Sequence, residues 1–467
     1  MRSLDAIHEY VNTVCRQIRW KKAHARISEE MLNHITDSRD TYLQQGLDEE
    51  EATQNAITDA GDALVIGTQL DRIHRPKPQW GMMLSVVGFA LLGIILGHVL
   101  FPGMDILYGR LFSQLIWLII GTAFMFAAYF ADFTILGKYP WRIFITVSLM
   151  AFILFYFASR HGQWIRIPYL GNIEFRYISL LFPITLVPAV YATRNKGYVG
   201  LIIALFAYGF LCLVAVAAPP IGVSGFMHFM PVGLALMIFA VMRGWFGINK
   251  WRGLLLVAVP HVSIFTWILW ESRHRDFYQF RRMINPHLDP TGRGFFPLQV
   301  RRLLNNATLL GEGTTEYTRF WPIRDMPEML YEDFLLATVA FRLGWLAFAA
   351  VLCAFIFFIA HAATRCFKQK SGLGFFVSIA IIMTFAIQVF SYVISNLGFA
   401  FIRTSLPLIS PGNNAIVIYM ALLGFMLSVF RTGDAVADKY SDPHTQRTGP
   451  ISWQDGKLII DFNKKVK

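Results

Sequence analysis

Apolar residues recur along this chain on two scales. Over residues 1–76 they mark the buried faces of short helices: Leu4, Ile7, Val11, Val14 and Ile18, then Ile27, Met31, Ile35 and Leu43. Gly46 closes the second helix, and Asp48 opens a third as its N-cap, with Glu49, Glu50 and Glu51 in the first turn. Gly61 ends that helix, a fourth short one follows, and "RPKPQW" leads into a different pattern. From Gly81 onward, near-continuous apolar runs of roughly 17 to 25 residues recur, the length that crosses a bilayer. They lie at 81–101, 113–131, 141–158, 176–192, 199–217, 226–242, 253–270, 334–360, 374–397 and 411–430. The expected fold is all-α: a polytopic membrane domain of about ten transmembrane helices over 81–432, preceded by a small helical domain (1–76) and a linker (77–80), and followed by a tail (433–467).

Charge sets the orientation. Ten spans leave both termini on one side, and the short loops there carry Lys138, Arg142, Arg194, Lys196, Arg243, Lys250, Arg252, Arg365, Lys368 and Lys370. The short loops opposite carry only Arg110, Arg160, Arg166 and Arg403, with Arg176 at the membrane edge. The positive-inside bias therefore puts both termini in the cytosol and the long segment 271–333 outside. A 55% hydrophobic composition with 15% charged residues and a mean hydropathy of +0.47 agrees, and excludes a soluble enzyme. The net charge of +12 follows partly from this bias and from the basic end "FNKKVK". No soluble basic domain with interleaved aromatics points to nucleic acid. Cys15, Cys212, Cys353 and Cys366 lack metal-ligand spacing, so neither disulfides nor a zinc site is expected. The polar start of the chain predicts no cleavable signal peptide.

Two features carry candidate chemistry. "YEDFLLATVAFRLG", residues 331–344, places Glu332 and Asp333 at the edge of a long apolar run. Asp333 has two roles open to it: capping the helix by accepting from free backbone N–H groups, or acting as a base. The second feature is the 271–333 segment, with nine arginines and no lysine. Arginine suits bidentate phosphate contacts, although such a composition also describes an ordinary solvated loop. The intramembrane His228 and His261 are expected to be hydrogen-bonded structural residues rather than proton relays.

Within that segment, "YQFRRMINPHLDPTGRGFFPLQVRRLLNNATLLGEG" resembles the large outer loop of the SEDS family, the RodA, FtsW and SpoVE proteins of rod shape, cell division and sporulation. Tyr278-Gln279, Arg282, Pro286, Asp289-Pro290, Gly292, Gly294 and Gln299 fall on its Y-Q-x-x-R, P, D-P-x-G-x-G and Q. Gly311 and Gly313 fall on its G-K-G, Pro327-Glu328 and Asp333-Phe334 on P-E-x-H-T-D-F, and Leu343-Gly344 on E-E-L-G. "NLGFAFIRTSLPLISPGNNA" resembles the stretch before the family's last helix, and "GQWIRIPYLG" with Phe175 its G-x-R-W-I-x-L-G and F-Q-P-S-E. The chain departs from the family at Gln163, Ser179, Pro220-Ile221-Gly222, Glu312, Phe341, Arg342 and Pro411-Gly412-Asn413-Asn414. Separately, "ISEEMLNHITDSRDTYLQQGLDEEEATQNAITDAGD" resembles the prefix domain found before some Gram-positive permeases, and no candidate chemistry lies in it.

The SEDS resemblance implies a peptidoglycan glycosyltransferase that polymerises lipid II on the outer face of the cytoplasmic membrane, beside a class B penicillin-binding protein. The essential Asp of the family corresponds to Asp333 and its loop Trp to Trp164; Arg282, Gln299, Arg342 and Glu312 are the accompanying substrate-binding candidates. No cofactor is required, and a divalent cation is compatible with a pyrophosphate leaving group. The alternatives are a non-catalytic scaffold or regulator of wall synthesis, and a flippase or transporter lined by charges such as Arg342. Glu312 and Arg342 stand where the family has Lys and Glu, so if these two positions lie close together the exchange preserves an ion pair with its ends reversed. A helix continuous from Asp333 would carry Arg342 roughly 13 Å deeper, where a guanidinium needs an acidic partner: Glu312, Glu174 or a lipid phosphate.

Overall fold

The computed structural model describes residues 2–76, 78–101, 110–162, 164–167, 171–217, 222–271, 285–292, 294–314, 333–369, 371–399, 404–410, 413–433, 451–454 and 457–460. The chain falls into two compact units: Met1–His74 with Lys370–Gly372 and Asp434–Lys467, and Arg75–Gln369 with Leu373–Gly433.

The first unit contains α1 (Arg2–Gln17), α2 (Lys21–Gln44), α3 (Glu49–Ala60) and α4 (Ala63–His74). Most of the periodic residues form its core: Ile7, Val11 and Val14 pack with Ile35 and Ala56, while Ile18 packs with Ala23 and Ile27; Leu43, near the end of α2, is exposed instead. Asp48 accepts from the Glu50 N–H as the N-cap of α3, and Gly61 ends that helix at φ 86°. The Tyr10 hydroxyl donates to the carbonyls of Ala60 and Gly61, tying α1 to the end of α3. A short hairpin, Ile451–Gln454 paired antiparallel with Lys457–Ile460, belongs to the same unit.

The second unit is the membrane domain. It runs through α5 (Trp80–Leu100), α6 (Arg110–Phe130), the single turn α7 (Ile135–Lys138) and α8 (Pro140–His161) to the hairpin β1 (Trp164–Ile167) and β2 (Gly171–Glu174). A 3₁₀ turn (Phe175–Leu181) then enters α9 (Phe182–Ala192), followed by α10 (Gly197–Ala217), α11 (Gly222–Met242) and α12 (Lys250–Glu271). The later elements are α13 (Phe295–Asn305), α14 (Leu335–Leu343), α15 (Trp345–Phe367), α16 (Gly372–Asn396) and α17 (Asn413–Thr432).

Among the described residues, nine helical segments are long and apolar enough to span a membrane. The remaining predicted run, 253–270, lies within α12. This is a multi-pass membrane protein. Its spans present large apolar residues outward, such as Leu84, Phe206 and Phe357, as a lipid-facing surface requires. The most enclosed span is α16, with 78% of its apolar window buried, so polar groups on it face protein rather than lipid.

Two departures from the sequence pattern matter. The hairpin β1–β2 was not part of the expected all-helical layout; Trp164 pairs with Glu174 and Ile167 with Gly171. The run 334–360 is not one helix. It breaks at Gly344, whose φ of 97° and ψ of 167° lie in a region essentially reserved for glycine, so the membrane span begins only at Trp345. Arg342 stands before that break, in the last turn of the helix that begins just after Asp333, and its side chain is 44% exposed.

Candidate active site

The short helix α14 carries Asp333 at its start and is enclosed on all sides: every residue from Leu335 to Phe341 is buried. A nine-residue helix leaves nearly all its terminal backbone groups without intrahelical partners, so a buried one needs them from elsewhere. At its N-terminus the cap position is Phe334, which has no polar side-chain atom, and Asp333 lies one residue earlier. The Leu335 N–H donates to the Tyr392 hydroxyl at 2.9 Å, and the Ala337 N–H to Asn396 Oδ1 at 2.9 Å. Asn396 Nδ2 in turn donates to the Asp333 carbonyl at 3.0 Å. Asp333 is itself buried, only 5% exposed, and within electrostatic reach of the Tyr392 hydroxyl.

The C-terminus of α14 is satisfied by the loop after α13. Gly313 N–H donates to the Phe341 carbonyl at 2.8 Å and Gly311 N–H to that of Leu343 at 3.2 Å. Beyond the break, Trp345 N–H donates to Thr308 O at 3.0 Å and Leu346 N–H to Leu309 O at 3.2 Å. The segment 308–313 thus lies along the end of α14 as a strap. Between its two glycines, Glu312 Oε1 sits 3.3 Å from Arg342 Nη1, both side chains about half exposed.

Helix α13 covers the other side. Its entry is the D-P-x-G-x-G turn: the Asp289 carbonyl accepts from both Gly292 N–H and Gly294 N–H. A Cβ at Gly294 would run into the Pro286 carbonyl, which is why that position has no side chain. The helix docks through Arg301, whose Nε donates to the Gly398 carbonyl at 2.8 Å, just past the end of α16. Phe296 stacks on Phe334, the neighbour of Asp333, with ring centroids 6.0 Å apart. Gln299, half-buried, stands one turn after Phe296.

A buried polar seam runs down α16 away from Asp333. Asn396, Tyr392 and Gln388 follow at four-residue spacing and so share one face. Ser410 Oγ bonds the Tyr392 hydroxyl at 3.3 Å and accepts from Leu406 N–H at 3.0 Å. Gln388 Oε1 accepts from Thr404 at 2.6 Å and from the Tyr419 hydroxyl at 3.2 Å. In the first turn of α17, Asn414 holds β2 by bonds in both directions with the Glu174 backbone, at 3.0 and 2.8 Å. The Glu174 carboxylate pairs with Arg176 at 2.5 Å, and Arg176 Nη2 donates to the Tyr177 hydroxyl at 2.8 Å.

With this arrangement in view, a family model described as cell cycle protein, FtsW/RodA/SpoVE, matches residues 83–434. The chain belongs to this family. The peptidoglycan glycosyltransferase MrdB of Escherichia coli K12 is 27% identical over 187 residues, which cover 38% of this chain and 49% of that protein. The chain thus spans about half the length of that relative. A probable peptidoglycan glycosyltransferase FtsW of Geobacter sulfurreducens is 20% identical over 322 residues, covering 68% of this chain and 84% of that one. Among solved structures, a chain of a peptidoglycan synthase complex, described for its structural coordination of polymerization and crosslinking, superposes with a TM-score of 0.57 at 16% identity, covering 78% of this chain and 99% of that one. The rod shape determining protein RodA of Thermus thermophilus gives a TM-score of 0.51 at 14% identity, covering 78% and 98%. Both are likenesses of fold.

In this FtsW/RodA/SpoVE frame, the structure brings Asp333 and Gln299 to one region, where α13 packs on the start of α14. Glu312 and Arg342 pair at the other end of α14. Trp164 lies in β1 opposite Glu174, and Arg282 lies outside the described residues. Asn396 and Ser410 lie in the stretch that resembles the one before the family's last helix, but neither they nor Tyr392 were given a role from the sequence. The signal was present: Gln388, Tyr392 and Asn396 are polar groups at helical spacing inside an apolar run, and intramembrane polar residues are expensive unless they serve a purpose. His261, by contrast, is hydrogen-bonded to Val257 O and the Tyr208 hydroxyl. Among the described residues, no group of three or more His, Cys, Asp or Glu side chains is gathered to hold a metal.

Proposed function

We propose that this chain is a peptidoglycan glycosyltransferase that polymerises lipid II on the outer face of a bacterial cytoplasmic membrane, with both termini in the cytosol. The observation that carries the proposal is the buried Asp333 carboxylate at the mouth of α14, on a helix whose two ends are fastened by other elements. Glycosyl transfer requires an acceptor sugar hydroxyl to attack the anomeric carbon of a lipid-linked donor. Asp333 takes the hydroxyl proton as the new C–O bond forms, and the bond from the anomeric carbon to the pyrophosphate breaks. The undecaprenyl pyrophosphate leaves with the bonding electron pair, so cationic groups nearby stabilise the transition state. Arg342, Arg282 and the other arginines of the 271–333 segment supply such groups, while Trp164 and Gln299 contact the sugars. The names of the relatives, and the synthase complex that shares the fold, support the same activity and a class B penicillin-binding protein as partner.

A non-catalytic scaffold is favoured by one observation. Ser179 stands where the family carries an acid, and its hydroxyl is used locally, donating to the Arg176 carbonyl at 2.7 Å. Polymerisation of purified lipid II by the full chain, with and without the penicillin-binding protein, decides between the two. Glycan strands that disappear in Asp333→Asn support the enzyme, and an inactive wild type in both settings supports the scaffold.

A further inference from the structure

An Asp at the mouth of a helix ordinarily serves the backbone, accepting from one or two of the first free N–H groups. In α14 that service comes from a different helix. Tyr392 takes the N–H of Leu335, and Asn396 takes that of Ala337 while donating to the carbonyl of Asp333. Three backbone positions within five residues are thus fastened to two side chains one turn apart on α16, both with no exposed surface. The two are braced in turn. Asn396 Nδ2 also bonds the Tyr392 carbonyl at 2.9 Å, and the Tyr392 hydroxyl is bonded by Ser410, whose oxygen holds the Leu406 N–H. All three bonds reach backbone groups, those of Asp333, Leu335 and Ala337, so this contact sets where the backbone under Asp333 stands.

We infer that Tyr392 and Asn396 are positioning residues for Asp333: they cap its helix from α16 and fix the point from which its carboxylate reaches the substrate. This rests on the proposed role of Asp333 as base. Buried hydrogen bonds to fixed partners hold a backbone far more tightly than a solvated loop would, and a base that must meet one hydroxyl gains from that. A misplacement of about 1 Å costs a rate of about 10²-fold. The residue types fit the task. Asn donates and accepts at once, which the pairing of Asp333 O with Ala337 N–H requires, and Tyr offers a hydroxyl at the end of a rigid ring.

The test compares full-length wild type, Tyr392→Phe, Asn396→Ala, Asn396→Asp and Asp333→Asn with purified lipid II, alongside hydrogen exchange of peptides covering 333–343. Tyr392→Phe and Asn396→Ala are expected to lower kcat about 10- to 100-fold with KM within about threefold, and to raise exchange in that peptide but not in α5. Asn396→Asp keeps the acceptor for Ala337 and loses the donor to Asp333, so it is expected to restore protection at Ala337 without restoring kcat. Wild-type kcat in Tyr392→Phe and Asn396→Ala overturns the inference. So does a loss of kcat that Asn396→Asp recovers together with protection, since the role is then structural capping alone. If Asp333→Asn polymerises as fast as wild type, the assignment of the base fails instead, and the two failures are distinguishable.

Discussion

Arg342 Nη1 and Glu312 Oε1 lie 3.3 Å apart, joining the end of α14 to the strap that covers it. The SEDS family resemblance places Lys and Glu at these two positions, so this chain carries opposite charges there in the exchanged order. Burial does not enforce the pairing, because both side chains are about half exposed. Exposed pairs are worth about 0.2–1 kcal/mol, and this one adds to four backbone bonds already holding the strap. In a double-mutant cycle of Glu312→Gln and Arg342→Gln, unfolding measurements are expected to give a coupling below about 1 kcal/mol, reduced by salt. Strictly additive losses would mean that the two do not interact.

Removing the Asp333 carboxylate should separate catalysis from capping. A lost helix cap costs about 0.5–2 kcal/mol, too little to unfold a bundle of this size, and Tyr392 and Asn396 already serve the first turn. Asp333→Asn and Asp333→Ala are therefore expected to express and insert normally while lipid II polymerisation falls about 10²- to 10⁴-fold, the usual contribution of a general base. Full activity in Asp333→Asn would remove Asp333 from the chemistry.

How far the sequence revealed this site depended on the kind of signal each residue leaves. Asp333 was legible because a carboxylate interrupts an apolar run. Most spans were legible because length and apolarity alone define them. The break at Gly344 was not, since one glycine in an apolar run reads as a tolerated defect, and what ends the helix is the strap at 308–313 arriving from thirty residues upstream. For Tyr392 and Asn396 the polar spacing was legible but the role was not, because that role is to bond backbone on another helix. No local pattern records a tertiary partner. The hairpin at Trp164–Glu174 escaped for a related reason, being held by Asn414 from α17.

Orientation is the next expectation. The lysine distribution puts both termini in the cytosol and the strap outside. In a background without native cysteines, a single cysteine at Thr314 should react with an impermeant maleimide in intact cells, and one at Ser38 only after permeabilisation. Labelling of Ser38→Cys in intact cells would reverse the assigned topology.

The four-helix unit has its own core around Ile7, Val11, Val14 and Ile35, and no candidate site residue lies in it. Deleting residues 1–76 should leave the membrane domain folded and its lipid II polymerisation within about threefold of wild type, since chemistry that resides elsewhere needs no contribution from a separate core. A well-folded truncation without activity would show that the unit takes part in the reaction.

The last expectation concerns Gly344, on which the geometry of α14 depends. Its φ of 97° and ψ of 167° fall where side-chain-bearing residues are strained by about 1–3 kcal/mol. A Cβ there would also meet the Leu309 carbonyl, the group that accepts from Leu346 N–H on the far side of the break. Gly344→Ala must therefore either carry the strain or relieve it by letting α14 run on into α15, and the second route would pull the strap from the Phe341 and Leu343 carbonyls. Both routes lower stability, and the second also moves the helix that carries Asp333. Gly88→Ala is the matched control: that glycine lies inside α5 with open space around its Cβ, so the same added methyl should leave the unfolding midpoint unchanged or higher. Thermal unfolding in detergent is expected to place Gly344→Ala below wild type and Gly88→Ala at or above it, with lipid II polymerisation lost only in the first. A Gly344→Ala protein with wild-type midpoint and rate would mean that the break is not held by glycine geometry at all.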